Sequence, residues 1–191
     1  MLDAFKEVGA ILKGHFVLSS GLHSDTYLQC AKIFEYPRLA EKVCSLLAKK
    51  IKNELIRGFC SVDSVLSPAI GGITVGYEIA KQLDLRFMFC ERINGKFILR
   101  RDFRIKEGEE ILIVEDVITT GKSSLDTVKC VEENGGKIIG EASLVKRNSK
   151  IILPFPIVSL IELDIKNYNE KELPQELKNI PVMKPGSRYY L

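Results

Sequence analysis

The chain is poor in the features that mark a secreted scaffold, a metal site or a nucleic-acid surface. It has five cysteines, namely Cys30, Cys44, Cys60, Cys90 and Cys130. They are odd in number, widely spaced and never arranged C-x-x-C, which argues against a disulfide framework and against a zinc site. Reduced thiols in a cytosolic core are expected instead. No Lys/Arg-rich run stands out and the net charge is only +3. Nothing here calls for nucleic acid, and a weak positive balance suits an anionic small substrate or a neutral role equally. No apolar stretch reaches the ~20 residues that span a bilayer. The opening segment MLDAFKEVGAILKGHF carries acids in an amphipathic pattern, not the apolar run of a signal peptide. A cytoplasmic protein without membrane association is expected. Repeats and low-complexity linkers are also missing.

What is present is ordinary globular composition, with 46% hydrophobic and 28% charged residues over 191 positions. That length suits one domain, 1–191, with a single sizeable core. Residues 2–13 read as an amphipathic helix with Leu2, Phe5, Val8 (or Gly9) and Leu12 on one face. Residues 15–34 alternate around Ser20-Gly21 like a strand pair or an extended segment. Pro37 suits the first turn of a helix running to about Ile56. Strands are predicted at Val62–Leu66, Phe87–Cys90, Ile111–Val114, Lys137–Val145 and Ile157–Leu163, with an arm or hairpin strand at Lys96–Arg101. Helices are predicted at Ile73–Leu83, after a Gly71-Gly72 turn, and at Ser123–Glu133, ended by Asn134-Gly135-Gly136. Strands alternating with helices imply an α/β fold with a mostly parallel sheet. The core covers about 37–165. The first ~35 and last ~30 residues break the alternation and are expected to form a hood over the sheet's active edge.

The informative segment is Ile111–Ser124, ILIVEDVITTGKSS. An apolar strand is followed by two acids, then by glycine and hydroxyls at a helix start. Ligands of open α/β sheets bind beyond the carboxyl ends of strands. Glycine permits a tight turn, successive amides make an anion-binding nest, and the helix N-terminus favours phosphate. Thr119, Thr120, Ser123 and Ser124 can donate to phosphate oxygens. Glu115 and Asp116 beside such a nest make sense if the ligand also carries hydroxyls or Mg²⁺. They can accept from a ribose 2′- and 3′-hydroxyl and stabilise positive charge at the anomeric carbon. The blander reading is a solvated acidic strand end before a capped helix. Rival phosphate loops fail on register. A Walker A loop needs glycine where Asp116 stands, and no two glycines in the chain are two apart as a Rossmann fingerprint requires. Neither G-x-S-x-G nor H-E-x-x-H occurs.

VEDVITTGKS resembles the phosphoribosyl-diphosphate signature of type I phosphoribosyltransferases. Within them, Gly14–Asp25 (GHFVLSSGLHSD) is similar to the orotate phosphoribosyltransferases. Further matching pieces are Ser67–Gly72, Glu91-Arg92 with Leu99-Arg100-Arg101, and Lys184-Pro185-Gly186-Ser187-Arg188. The resemblance implies a type I phosphoribosyltransferase fold and transfer of ribose 5-phosphate to N1 of orotate, with Mg²⁺ carried by the diphosphate and no metal ligand from the protein. It implies that Glu115, Asp116, Val117, Ile118, Thr119, Thr120, Gly121, Lys122 and Ser123 hold the phosphoribosyl group, and that Thr119 and Arg147 contact orotate. A guanidinium suits a planar carboxylate. Ser67–Gly72 would receive pyrophosphate. Arg92 and Lys96, on a mobile loop shared across a homodimer, would be catalytic together with Glu115 and Asp116 of the phosphoribosyl loop.

The chain departs from well-known members of that family. Ile93 and Ile98 replace a lysine and a histidine of the mobile loop, Gly71 replaces a lysine, and Ser19 stands where many carry lysine. Arg100 or Arg101 would have to supply the missing charge. His15 and His23 read as structural residues of the hood. Two alternatives stay open from the shared loop: a purine-base phosphoribosyltransferase, and a non-catalytic regulator that senses phosphoribosyl diphosphate.

Overall fold

Two sheets organise the chain, one built from its middle and one from its ends. The computed structural model describes residues 1–18, 20–56 and 61–184. Cys60, Ser19 and the Pro185–Arg188 part of the C-terminal motif lie outside the described residues.

The chain opens with α1 (Leu2–Glu7), which buries Phe5. The helix expected over 2–13 stops early, because Gly9 turns the backbone to φ +73° and Ile11–Val17 then pairs as a strand. This strand, β1 (Ile11–Val17), runs antiparallel to β2 (His23–Leu28). A 3₁₀ turn, Cys30–Glu35, leads to α2 (Pro37–Glu54) with proline in its first turn. Its buried residues Ala40, Val43, Cys44, Leu47, Ala48 and Ile51 repeat every three or four positions, the stripe of a helix packed on a sheet.

The core then alternates: β3 (Ser64–Pro68), α3 (Gly71–Leu83), β4 (Arg86–Ile93), β5 (Lys96–Leu99), β6 (Glu110–Ile118), α4 (Lys122–Glu132), β7 (Lys137–Lys146) and β8 (Ile157–Glu162). The six strands are ordered β5-β4-β3-β6-β7-β8. All neighbours are parallel except β4–β5, a hairpin. Asn94 and Gly95 turn it with φ +49° and +84°, the paired left-handed turn that hairpins favour. The arm or hairpin left open at Lys96–Arg101 is therefore the hairpin strand β5.

Helices α2 and α3 cover the sheet face that carries Val65, Leu112, Val114 and Leu144; α4 covers the face with Leu66, Met88 and Ile111. Ile111, Leu112, Ile113 and Val114 are all fully buried, each contributing roughly 1.5–3 kcal/mol. Gly135, at φ +83°, ends α4 as its glycine pattern predicts. Toward the C-terminus, α5 (Gln175–Lys178) precedes β9 (Val182–Met183), which joins the end sheet in the order β2-β1-β9. The expected hood is thus a small sheet knitted from both ends. Tyr168 adds a bridge to His23.

Candidate active site

Strand order reverses between β3 and β6. The connection after β3 runs outward to β4, and the connection after β6 runs the other way to β7. A crevice at such a switch point is where open α/β sheets bind ligands. Two loops rim it, Ala69-Ile70 after β3 and Thr119–Gly121 after β6.

The second loop turns on glycine into the start of α4. Gly121 sits at φ +77° as the residue before α4, and Thr119 and Thr120 are exposed. The Lys122 N–H donates to Thr120 Oγ1 at 3.4 Å. The free amides at the start of α4 face the same rim. In the first loop, a Cβ on Gly71 would lie 2.7 Å from both Asp116 carboxyl oxygens. A side chain at 71 would need room that Asp116 occupies. Likewise a Cβ on Gly72 would come 3.1 Å from the Val114 carbonyl, so glycine lets α3 seat closely on the sheet.

The two acids are arranged differently from the expectation. β6 runs to Ile118, four residues past Val114, so Glu115 and Asp116 lie inside the strand and not beyond its end. Successive strand residues face opposite sides. Asp116 is half-buried on the α3 side, against Gly71. Burial pushes its carboxyl upward, opposed by amide hydrogen bonds from Val117 and its own N–H. Glu115 is buried on the α4 side. Its carboxyl is pushed up to about 7, first by burial and then by the Asp116 charge, against the Ser123 hydroxyl, Arg92 and the Glu141 carboxyl. Ser124 also departs from expectation. One helical step beyond Ser123, it is fully buried beneath α4, so its hydroxyl is not available to a phosphate at the rim.

Val117 and Ile118 complete the strand, paired with Val145 and Lys146 of β7. That register brings Thr119 beside Arg147, whose backbone N–H donates to the Ile118 carbonyl at 2.9 Å. Arg147 is buried at 5% exposure. Its Nη2 donates to Ser24 Oγ at 2.7 Å and Asn167 Oδ1 at 2.9 Å. Its Nε has no partner among the described residues. The side chain therefore joins the core sheet to β2 of the hood, with its Nε enclosed and unpaired among the described residues.

Arg92 sits on β4. Its Nη1 donates to Asp126 Oδ2 at 3.0 Å and to the Gly95 carbonyl at 2.8 Å, and its guanidinium stacks 4.0 Å over the Phe97 ring. These contacts hold it against α4 of its own chain. Lys96 is exposed at the start of β5. Arg100 and Arg101 both flank Glu91, with Arg101 Nη2 donating at 3.1 Å. His15 and His23 form a structural pair: His15 Nε2 and His23 Nδ1 lie 2.7 Å apart, and His15 Nδ1 meets the Ile180 carbonyl at 3.1 Å.

Sequence reading gave Ser24 no role of its own within the Gly14–Asp25 run, and missed Asn167, Asp126 and Glu141. Asn167 and Asp126 are short polar residues in polar surroundings and carry no pattern. Glu141 did leave a signal, as a lone acid in the apolar strand Lys137–Val145.

The reversed strand order, the glycine-turned loop and the acids between them define a crevice of the kind in which open α/β sheets take phosphate-bearing ligands. A family model of the phosphoribosyl transferase domain matches residues 30–174, and the chain belongs to that family. Within it the resemblance is to orotate enzymes. The orotate phosphoribosyltransferase of Caldicellulosiruptor bescii is 45% identical over 188 residues, covering 98% of this chain and 96% of the relative. That of Caldanaerobacter subterraneus subsp. tengcongensis is 46% identical over 189 residues, covering 98% and 96%. The crystal structure of orotate phosphoribosyltransferase from Aeropyrum pernix superposes with a TM-score of 0.73 at 25% identity, over 85% of this chain and 94% of that one. Neither the purine-base nor the regulator alternative is favoured by these relatives.

Proposed function

We propose that this crevice transfers ribose 5-phosphate from 5-phospho-α-D-ribose 1-diphosphate to N1 of orotate. The products are orotidine 5′-monophosphate and pyrophosphate, a step of de novo pyrimidine (UMP) biosynthesis. The observation that carries the reading is the junction of Thr119 and Arg147, where the loop after β6 meets a buried guanidinium. A guanidinium suits the carboxylate and ring carbonyls of orotate.

In this reading the amides and hydroxyls from Val117 through Ser123 take the 5-phosphate. Asp116 and Glu115 approach the ribose from the two faces of β6 and oppose the positive charge that develops at the anomeric carbon. The Ala69-Ile70 loop receives the pyrophosphate, and Arg92 and Lys96 neutralise it as it leaves. Mg²⁺ belongs with the substrate, as a hard cation held by the diphosphate oxygens. Among the described residues no group of three or more His, Cys, Asp or Glu is disposed to hold a metal ion. A homodimer is part of the proposal. An apolar groove lined by Phe34, Pro37, Ala40, Tyr77, Phe87 and Phe89 supports pairing with a second copy. The single domain over 1–191 and the cytoplasmic location stay as the sequence suggests them. No described helix is long and apolar enough to cross a membrane.

The test is pyrophosphate release from phosphoribosyl diphosphate and Mg²⁺ with orotate, adenine or hypoxanthine offered separately. Turnover with orotate alone is expected. Turnover with a purine base and none with orotate would overturn the reading.

A further inference from the structure

The α4 side of the sheet contains a second acid that the phosphoribosyl chemistry does not account for. Glu141 lies on β7 with 0% exposure. β7 pairs with β6 so that Ile113 faces Glu141 and Glu115 faces Ser143. Glu115 and Glu141 are therefore diagonal neighbours on one sheet face. Neither Glu141 oxygen has a conventional donor in hydrogen-bond geometry among the described residues, and the equally buried Ser124 Oγ is also without one. The two carboxyls are thus buried neighbours in one layer, and Glu141 has no donor to balance a charge. Two carboxyls so placed cannot both stay ionised, so one of them keeps a proton.

The groups around the pair favour holding that proton. From β4 the only facing charge is Arg92, on the Glu115 side and already paired to Asp126. From β6 Asp116 adds negative charge, and from α4 Ser123 and Ser124 supply hydroxyls. From β8 come Ile157 beside Glu141 and Ser159, whose hydroxyl bonds Ser143. Among the described residues no cation faces Glu141, and an unpaired buried carboxylate is too costly to persist without one.

We propose that Glu141 is a positioning residue for Glu115: the two carboxyls share one proton beneath α4, and the shared proton fixes Glu115 toward the ribose subsite. This rests on the assignment of Glu115 to the phosphoribosyl group. Burial and the Glu115 charge push Glu141 up to about 8, above Glu115 at about 7. Both are raised, so the proton is held as pH rises from the ordinary carboxylate range and is lost as pH passes the upper titration of the pair. Beyond that point two buried carboxylates repel and Glu115 loses its fixed orientation.

Two measurements test the proposal. Wild-type protein in D₂O at about pH 7 should show the carbonyl stretch of a protonated carboxylic acid that is missing from Glu141→Gln, and that fades as pH rises through the pair's titration. Its absence from the wild type would overturn the proposal whatever the enzyme's substrate is. The second is KM for phosphoribosyl diphosphate against pH. The wild-type value should climb about tenfold per pH unit once the proton is lost. Glu141→Gln, whose amide donates at every pH, should lose that alkaline climb. An identical climb in Glu141→Gln would contradict the positioning role. Should that variant fail to fold, the infrared titration of the wild type decides alone.

Discussion

Arg147 ties together three parts of the chain. Its backbone extends the β6–β7 register, its Nη2 reaches Ser24 in the hood and Asn167 beyond β8, and its Nε is left over. Burial lowers its affinity for the proton, yet Asp25 nearby restores part of it, and a guanidinium stays charged throughout. A charge so placed is already oriented before orotate arrives. Arg147→Ala should raise the orotate KM by roughly 10- to 100-fold and leave the KM for phosphoribosyl diphosphate much less affected. Arg147→Lys should recover little, because an ammonium cannot serve Ser24, Asn167 and a planar ligand together. Steady-state kinetics with each substrate varied in turn checks this, and an unchanged orotate KM would remove Arg147 from the site.

At the scale of elements, β6 and the β4–β5 hairpin divide the chemistry. β6 supplies both acids, but by continuing through Ile118 it sends them to opposite faces. The apolar run Ile111–Val114 was legible because four consecutive buried positions mark a strand covered on both sides. The continuation was not legible: Glu115 and Asp116 look like a solvated end until the pairing of Glu115 with Ser143 and Val117 with Val145 is seen. The early stop of α1 has a similar cause, since the apolar spacing of Leu2, Phe5, Val8 and Leu12 fits a helix face, and the partner strand β2 decides otherwise. Gly71 was legible as an absent lysine, whereas its reason, the Asp116 carboxyl packed against it, belongs to tertiary contact. In the hairpin, Arg92 is clamped by Asp126 and Phe97 while Lys96 stands exposed beside the Asn94-Gly95 turn. Under the proposed function, Lys96 is a cation free to follow the leaving pyrophosphate. Lys96→Ala should lower kcat by about 10²-fold with a smaller change in KM for orotate. Near-normal turnover would exclude it from catalysis.

For the molecule as a whole, function depends on joining a parallel core to a hood made from both ends of the chain. Polar contacts join them, Arg147 to Ser24, Ser24 to the Lys166 carbonyl and the His23–Tyr168 bridge, and Phe5, Ala10 and Ile11 pack into the same apolar core as Val65 and Leu112. The alternation of the core was readable from periodicity, whereas the pairing of β1 with β9 links positions about a whole chain apart and leaves no local pattern. The proposed substrate site is the crevice between β3 and β6. Its most direct test is the structure of the complex with phosphoribosyl diphosphate and Mg²⁺. The 5-phosphate should lie on the amides of Thr119–Ser123, the ribose hydroxyls should meet Asp116 and Glu115, and the diphosphate should point to Ala69–Gly71. A 5-phosphate bound away from the Thr119–Ser123 turn would contradict it.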